Sequence, residues 1–135
     1  MTAPVVYLTA NEVWAINDNV LQLQGGATML RDRGVLEGAV ARPQMLAYYE
    51  QADLIDQAAI LIVGLALAHP FVDGNKRTAG IAGETFLGLN GLHIAADGIE
   101  FGEELRQVVD TVGDRTKVEQ NFRDWLRAHV VPLTS

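Results

Sequence analysis

The chain has 135 residues, 49% of them hydrophobic and 20% charged, with a formal net charge of −7 and no cysteine. That length favours one compact domain, residues 1–135, able to bury a real core, and the composition excludes a disordered chain. The missing cysteines exclude a disulfide framework, a thiol nucleophile and a zinc–thiolate site, and the acidic balance argues against direct nucleic-acid binding.

Val5-Val-Tyr-Leu8 reads as a short strand or an extended lead-in. Thr9 followed three residues later by Glu12 is a capping-box pattern and starts a helix. Val13, Ile16, Val20 and Leu23 form its expected buried stripe, and Gly25-Gly26 its end. No basic flank precedes an apolar core, so no signal peptide is expected. Arg31, Asp32 and Arg33 read as a solvated turn, and Val35, Leu36, Ala39 and Val40 as a short helix stopped at Arg42-Pro43. Pro43 to Asp53, with Met45, Leu46, Tyr48 and Tyr49, shows no periodicity that fixes a structure. Asp53 is placed to cap the next helix, in which the eleven residues Ala58 to Ala68 carry no polar side chain. So short a run cannot cross a bilayer, which takes about twenty residues, so it reads as a central helix buried on every side. A soluble, cytoplasmic protein without membrane contact is the expectation.

Pro70 disfavours helical geometry at His69, so the central helix should end there. Asp73-Gly74-Asn75 is turn chemistry, with Gly74 able to supply a positive φ. Ala79, Ala82, Phe86 and Leu89 then recur at helical spacing. The stretch His69-Pro-Phe-Val-Asp-Gly-Asn-Lys-Arg77 is thus a loop between two helices, with Lys76 and Arg77 at the start of the second. Free backbone N–H groups and the positive end of the helix dipole attract anions there. Two cations, a glycine and a carboxylate able to hold Mg²⁺ describe a polyphosphate site, and His69 at its edge is placed to take a proton from a hydroxyl. Asp73 is equally suited to N-cap the second helix.

Gly80, Gly83 and Gly88 within that helix imply either close packing against the central helix or a break, and Gly91 a stop. Leu92-His-Ile94 reads as a short extended piece, with His93 a satisfied structural histidine. Phe101, Leu105, Val108, Val109 and Val112 mark a further helix ended by Gly113. Thr116 with Glu119 repeats the capping box before a last stripe of Val118, Phe122, Trp125 and Leu126, with His129 at the helix end. The architecture expected is all-α, five to six helices around Ala58–Ala68. Neither a P-loop nor the protein-kinase signatures occur.

The nine residues from His69 to Arg77 resemble the signature of the Fic/Doc family, H-x-F-x-[D/E]-[G/A]-N-[G/K]-R, at every specified position. Lys76 stands where AMP-transferring Fic relatives usually carry glycine, and Gly80 where they carry a second arginine. Both departures, and the run Asn75-Lys-Arg-Thr-Ala79, resemble the Doc (death-on-curing) branch. The glycine, apolar pair and small-residue helix before Arg42-Pro43 resemble that branch too, and the likeness extends over about Tyr7 to Ile94. It implies the Fic fold and a toxin that transfers the γ-phosphate of ATP, with Mg²⁺, to a Ser or Thr of a protein target such as elongation factor Tu. It assigns His69 as general base, Asp73 as Mg²⁺ ligand, Gly74, Asn75 and Lys76 as the anion-binding loop, Arg77 as phosphate grip and Phe71 as the loop's anchor. It also implies a short β flap that holds the target peptide, which falls by order at Pro43–Asp53; Tyr48 and Tyr49 would otherwise be core residues. No [S/T]-x-x-x-E-[G/N] run of the kind that restrains many Fic proteins is present, so restraint is expected in trans, from an antitoxin. The rival readings are AMP transfer, a catalytically silent module of a toxin–antitoxin complex, and a helical DNA-binding regulator, the last disfavoured by charge.

Overall fold

The computed structural model describes residues 3–133. In chain order they form α1 (Ala10–Leu23), α2 (Arg33–Glu50), α3 (Leu54–Ala68), α4 (Asn75–Leu89), β1 (Leu92–Ile94), α5 (Gly98–Asp110), α6 (Arg115–His129) and β2 (Val130–Pro132). The fold is all-α, six helices among the described residues, with one small antiparallel sheet in which His93 lies opposite Val131. That sheet ties the end of α6 back to the end of α4. No helix among the described residues is long and apolar enough to cross a membrane.

The sequence of α3 dictates its place. A helix apolar on all faces must be covered on all faces. Every residue from Gln57 to Ala66 is buried, and α2, α4, α5 and α6 all pack against it. Asp53 caps its start, accepting from the Asp56 N–H at 2.9 Å. The closest approach is to α4, where a Cβ on Gly83 would lie 2.2 Å from Ile62 Cδ1. Gly80 instead faces α5, with a built Cβ 2.8 Å from Leu105 Cδ1, and Gly88 meets nothing. The helix is unbroken by its glycines.

Several local expectations are corrected by tertiary packing. The helix before Pro43 does not stop there: α2 runs on to Glu50, because Leu36, Ala39 and Pro43 share one buried face against α3. Pro43 to Glu50 is therefore helical and holds no flap, and Tyr48 and Tyr49 are neither flap nor core, being 79% and 76% exposed. On α1 the buried face turns through Val13, Asn17, Val20 and Leu21, which leaves Leu23 79% exposed. On α4 Leu87 is buried and Leu89 is not. Helix α5 ends at Asp110, so Val112 lies outside it, 97% exposed. Asp114, not Thr116, caps α6, and Glu119 is drawn to Arg42 and Arg115 instead. His93 is exposed, whereas His129 bonds Trp125 O at 2.7 Å through Nδ1 and reaches Glu100 at 3.1 Å.

Candidate active site

The loop between α3 and α4 begins where the helix can no longer continue. His69 is the C-cap of α3 in the left-handed region, φ 51° and ψ 58°. Histidine tolerates that region better than most residues, but a following proline opposes it, so the surroundings must hold it there. They do so from the segment leading into α2, where Arg31, Asp32 and Arg33 are exposed as expected of a solvated turn but two of them also bond the loop. The Arg31 guanidinium donates to Ala68 O at 2.8 Å and to His69 O at 2.5 Å. The Arg31 and Asp32 amides both donate to Pro70 O, at 2.8 and 3.1 Å. Asp32 also caps α2, accepting from the Val35 amide.

From Phe71 onward the loop is set by its own residues and by α1. Phe71 is fully buried and anchors the loop in the core. Asn75 clamps it: its Oδ1 accepts from the Phe71 amide at 3.0 Å and its Nδ2 donates to Phe71 O at 2.8 Å. The Asn75 side chain is thereby committed to loop shape. Its 3.5 Å approach to His69 Nδ1 is too long to fix the imidazole tautomer. Asn17, fully buried on α1, donates from Nδ2 to Asp73 O at 2.9 Å and to Thr78 Oγ1 at 3.1 Å, and its Oδ1 accepts from Thr28 at 2.5 Å. Gly74 takes φ 76° and lies so close to α1 that an added Cβ would be 2.6 Å from Leu21 Cδ2.

Gly74, not Asp73, is the N-cap of α4, and no side chain caps that helix. The Asp73 carboxylate accepts only from the adjacent Gly74 amide, at 2.7 Å, which leaves Oδ2 without a partner among the described residues. The first amides of α4 are therefore left without a side-chain acceptor among the described residues. His69, Asp73, Gly74, Asn75, Lys76 and Arg77 together line one cleft of about 470 Å³, with Gln24 and Val72. All six residues expected at the site are brought into it. Lys76 and Arg77 are exposed, and no carboxylate among the described residues pairs with either. Both also border a groove of about 550 Å³ between α4 and α5, where Ile81, Glu84, Ile99 and Glu103 lie. Burial pushes the Glu84 carboxyl up. Glu103 is held below the usual range chiefly by its bond to Arg106, with a smaller contribution from Lys76.

The donor set suits Mg²⁺. Asp73 is the exposed motif carboxylate that could hold it, since a single carboxylate together with phosphate oxygens is how that ion is usually held. Asn17, Thr28 and Arg31 were not legible as site residues. The signal for Asn17 was there, a polar residue inside the apolar stripe of α1; Arg31 gave none.

A family model described as the Fic/DOC family matches residues 7–87. A protein named "Toxin Doc" from Mycolicibacterium smegmatis is 48% identical over 90 residues, 64% of this chain and 69% of that one. "Protein kinase doc" of Escherichia phage P1 is 34% identical over 89 residues, 65% of this chain and 71% of that one. With the signature intact, its residues gathered in one cleft and the helical fold around them, the chain belongs to the Fic/DOC family and lies close to its Doc members.

Proposed function

We propose that this protein is a Doc-like toxin that transfers the γ-phosphate of ATP to a Ser or Thr hydroxyl of a protein target. The observation that carries the reading is the uncapped start of α4, set between His69 and Asp73 and flanked by Lys76 and Arg77 in one cleft. The triphosphate binds the free amides and the two cations; Arg77 suits it as a bidentate grip. Asp73 is the residue that would hold Mg²⁺, and the ion when bound would neutralise charge on the phosphates. His69 takes the proton of the acceptor hydroxyl as its oxygen bonds to the γ-phosphorus, the bond to the β-phosphate oxygen breaks, and ADP leaves.

The choice of γ over α rests on two residues. Gly80 lies against Leu105 and Phe101, a built Cβ standing 2.8 Å from Leu105 Cδ1, and it supplies no second cation. Lys76 supplies a cation where AMP-transferring relatives leave room for the outer phosphates. Both favour a nucleotide that presents its γ-phosphorus to the acceptor. The names of the relatives, one a toxin and one a protein kinase, support the same reading. The acceptor peptide is given an edge by Leu30. This residue bridges Phe71 across an antiparallel contact flanked by bonds from Val72 N to Met29 O at 2.9 Å and Arg31 N to Pro70 O at 2.8 Å. In that register Leu30 turns its own N–H and C=O to the opposite side, ready for an added strand. The flap function thus moves from Pro43–Asp53 to the segment around Leu30, beside His69. Restraint by an antitoxin in trans completes the proposal.

The test is to incubate protein and target, elongation factor Tu first, with ATP labelled separately at the α and γ positions. Label on the target from γ alone is expected. Label from α would establish AMP transfer instead, and label from neither on any target in a susceptible cell extract would leave the silent-module reading.

A further inference from the structure

The carbonyls of Ala68, His69 and Pro70 are consecutive, and all three accept from Arg31 and Asp32. Two of these bonds come from a single guanidinium that forms no ion pair with any carboxylate among the described residues. An arginine spent wholly on backbone carbonyls at a helix C-terminus is favoured by the helix dipole. Its five-donor planar fork spans two adjacent carbonyls in a way that a lysine ammonium cannot. The carbonyls it spans are those on either side of the one turn that the backbone would otherwise leave, since His69 is left-handed and precedes a proline.

We infer that Arg31 is the positioning residue of this site: its guanidinium locks the His69 backbone in the left-handed conformation that delivers the imidazole to the cleft beside Asp73. Its guanidinium is bonded to the two carbonyls and acts on the reaction through His69. The inference rests on His69 being the base of the proposed transfer, but its structural half does not. Without Arg31, the two carbonyls turn to water, and His69 relaxes towards the extended geometry that Pro70 favours. The imidazole then leaves the cleft while the cations and the α4 start stay in place, so catalysis falls and nucleotide binding does not.

The experiment compares Arg31→Ala and Arg31→Lys with Arg33→Ala, which removes a neighbouring arginine that pairs with Glu37 on the surface. The first readout is the NMR signal of the His69 ring, identified by its loss in His69→Ala; it requires no reaction. Arg31→Ala is expected to shift or broaden that signal and leave those of His93 and His129 unmoved. The second readout is steady-state transfer: kcat should fall on the order of 10–100-fold with KM for ATP changed by less than about two-fold, since misplacing a reacting group costs up to about 10²-fold. Arg31→Lys should recover part of the loss and Arg33→Ala should match the wild type. Should Arg31→Ala fail to fold, the ring signal in Arg31→Lys, which keeps the cation but not the fork, decides. An unmoved His69 signal, or equal losses in Arg33→Ala, overturns the inference whatever reaction the protein performs. A moved signal with no γ-transfer in the wild type would uphold the positioning and sink the proposed reaction.

Discussion

Asn17 is the most exacting test of how the site is built. The side chain is fully buried, and its amide satisfies three groups at once: Asp73 O, Thr78 Oγ1 and the Thr28 hydroxyl. Asn17→Ala deletes all three bonds. Asp73 O is part-buried and regains water, but Thr78 Oγ1 stays buried and loses its donor. With a net contribution of about 1 kcal/mol per bond, the cost is about 3 kcal/mol. At a urea slope of about 2 kcal/mol per M, the unfolding midpoint should drop by about 1.5 M. Asn17→Asp keeps the acceptor for Thr28 but sets a carboxylate against Asp73 O and Thr78, so it should be no better at neutral pH. A double-mutant cycle with Thr78→Val should show a coupling of about 1 kcal/mol. Equilibrium unfolding followed by circular dichroism checks each figure. A midpoint that moves by less than about 0.3 M at unchanged slope would refute the account of the loop as hung from α1.

His69→Ala should lower transfer by roughly 10²–10⁴-fold with nucleotide binding retained, measured by labelled-phosphate transfer and calorimetry. Expressed without a partner, the wild-type chain should arrest growth and His69→Ala should not; arrest that persists in the variant would remove His69 as base. Gly83→Ala should destabilise by about 2 kcal/mol, because its Cβ meets the stiff, buried Ile62 side chain, while Gly88→Ala, in open space, should stabilise by about 0.5–1 kcal/mol. Thermal unfolding of the pair reports both signs. The bond from Arg127 holds the Asp53 carboxyl below its usual range, so this contribution is present above the ordinary aspartate value and is lost as pH falls through the depressed one. Both side chains are about half exposed, so Arg127→Ala should cost under about 1 kcal/mol at pH 7, and the difference from wild type should close as pH drops below about 4.

What could be read from the residues was whatever a local rule decides. The apolar run of α3, the end of that helix at His69, the glycine turn at Gly74 and the cluster of cations at the start of α4 each follow from a few adjacent residues. The failures share a different cause. Pro43 continues a helix because its ring is buried in a face shared with Leu36 and Ala39 and covered by α3, a partner that no window around Pro43 contains. Leu23 and Val112 satisfy the helical period yet find no neighbour to cover them. Thr116 lost the cap to Asp114, a choice between two capable residues two positions apart. In the site, the six motif residues were legible, and the residues that hold them were not, since Asn17 and Arg31 reach partners 37 to 61 positions away.

Those long reaches set the order in which the protein becomes competent as it leaves the ribosome. Asn17 and Arg31 are synthesised first and wait for Ala68 to Thr78. At roughly 5–20 residues per second, the 61 positions between Asn17 and Thr78 take about 3–12 s to make. During that interval the residues of α1 have been made without the loop they will hang, and the nascent chain has no phosphate cleft. A molecule that recognises the finished loop has nothing to grasp in those seconds, and must wait for the chain to reach Thr78.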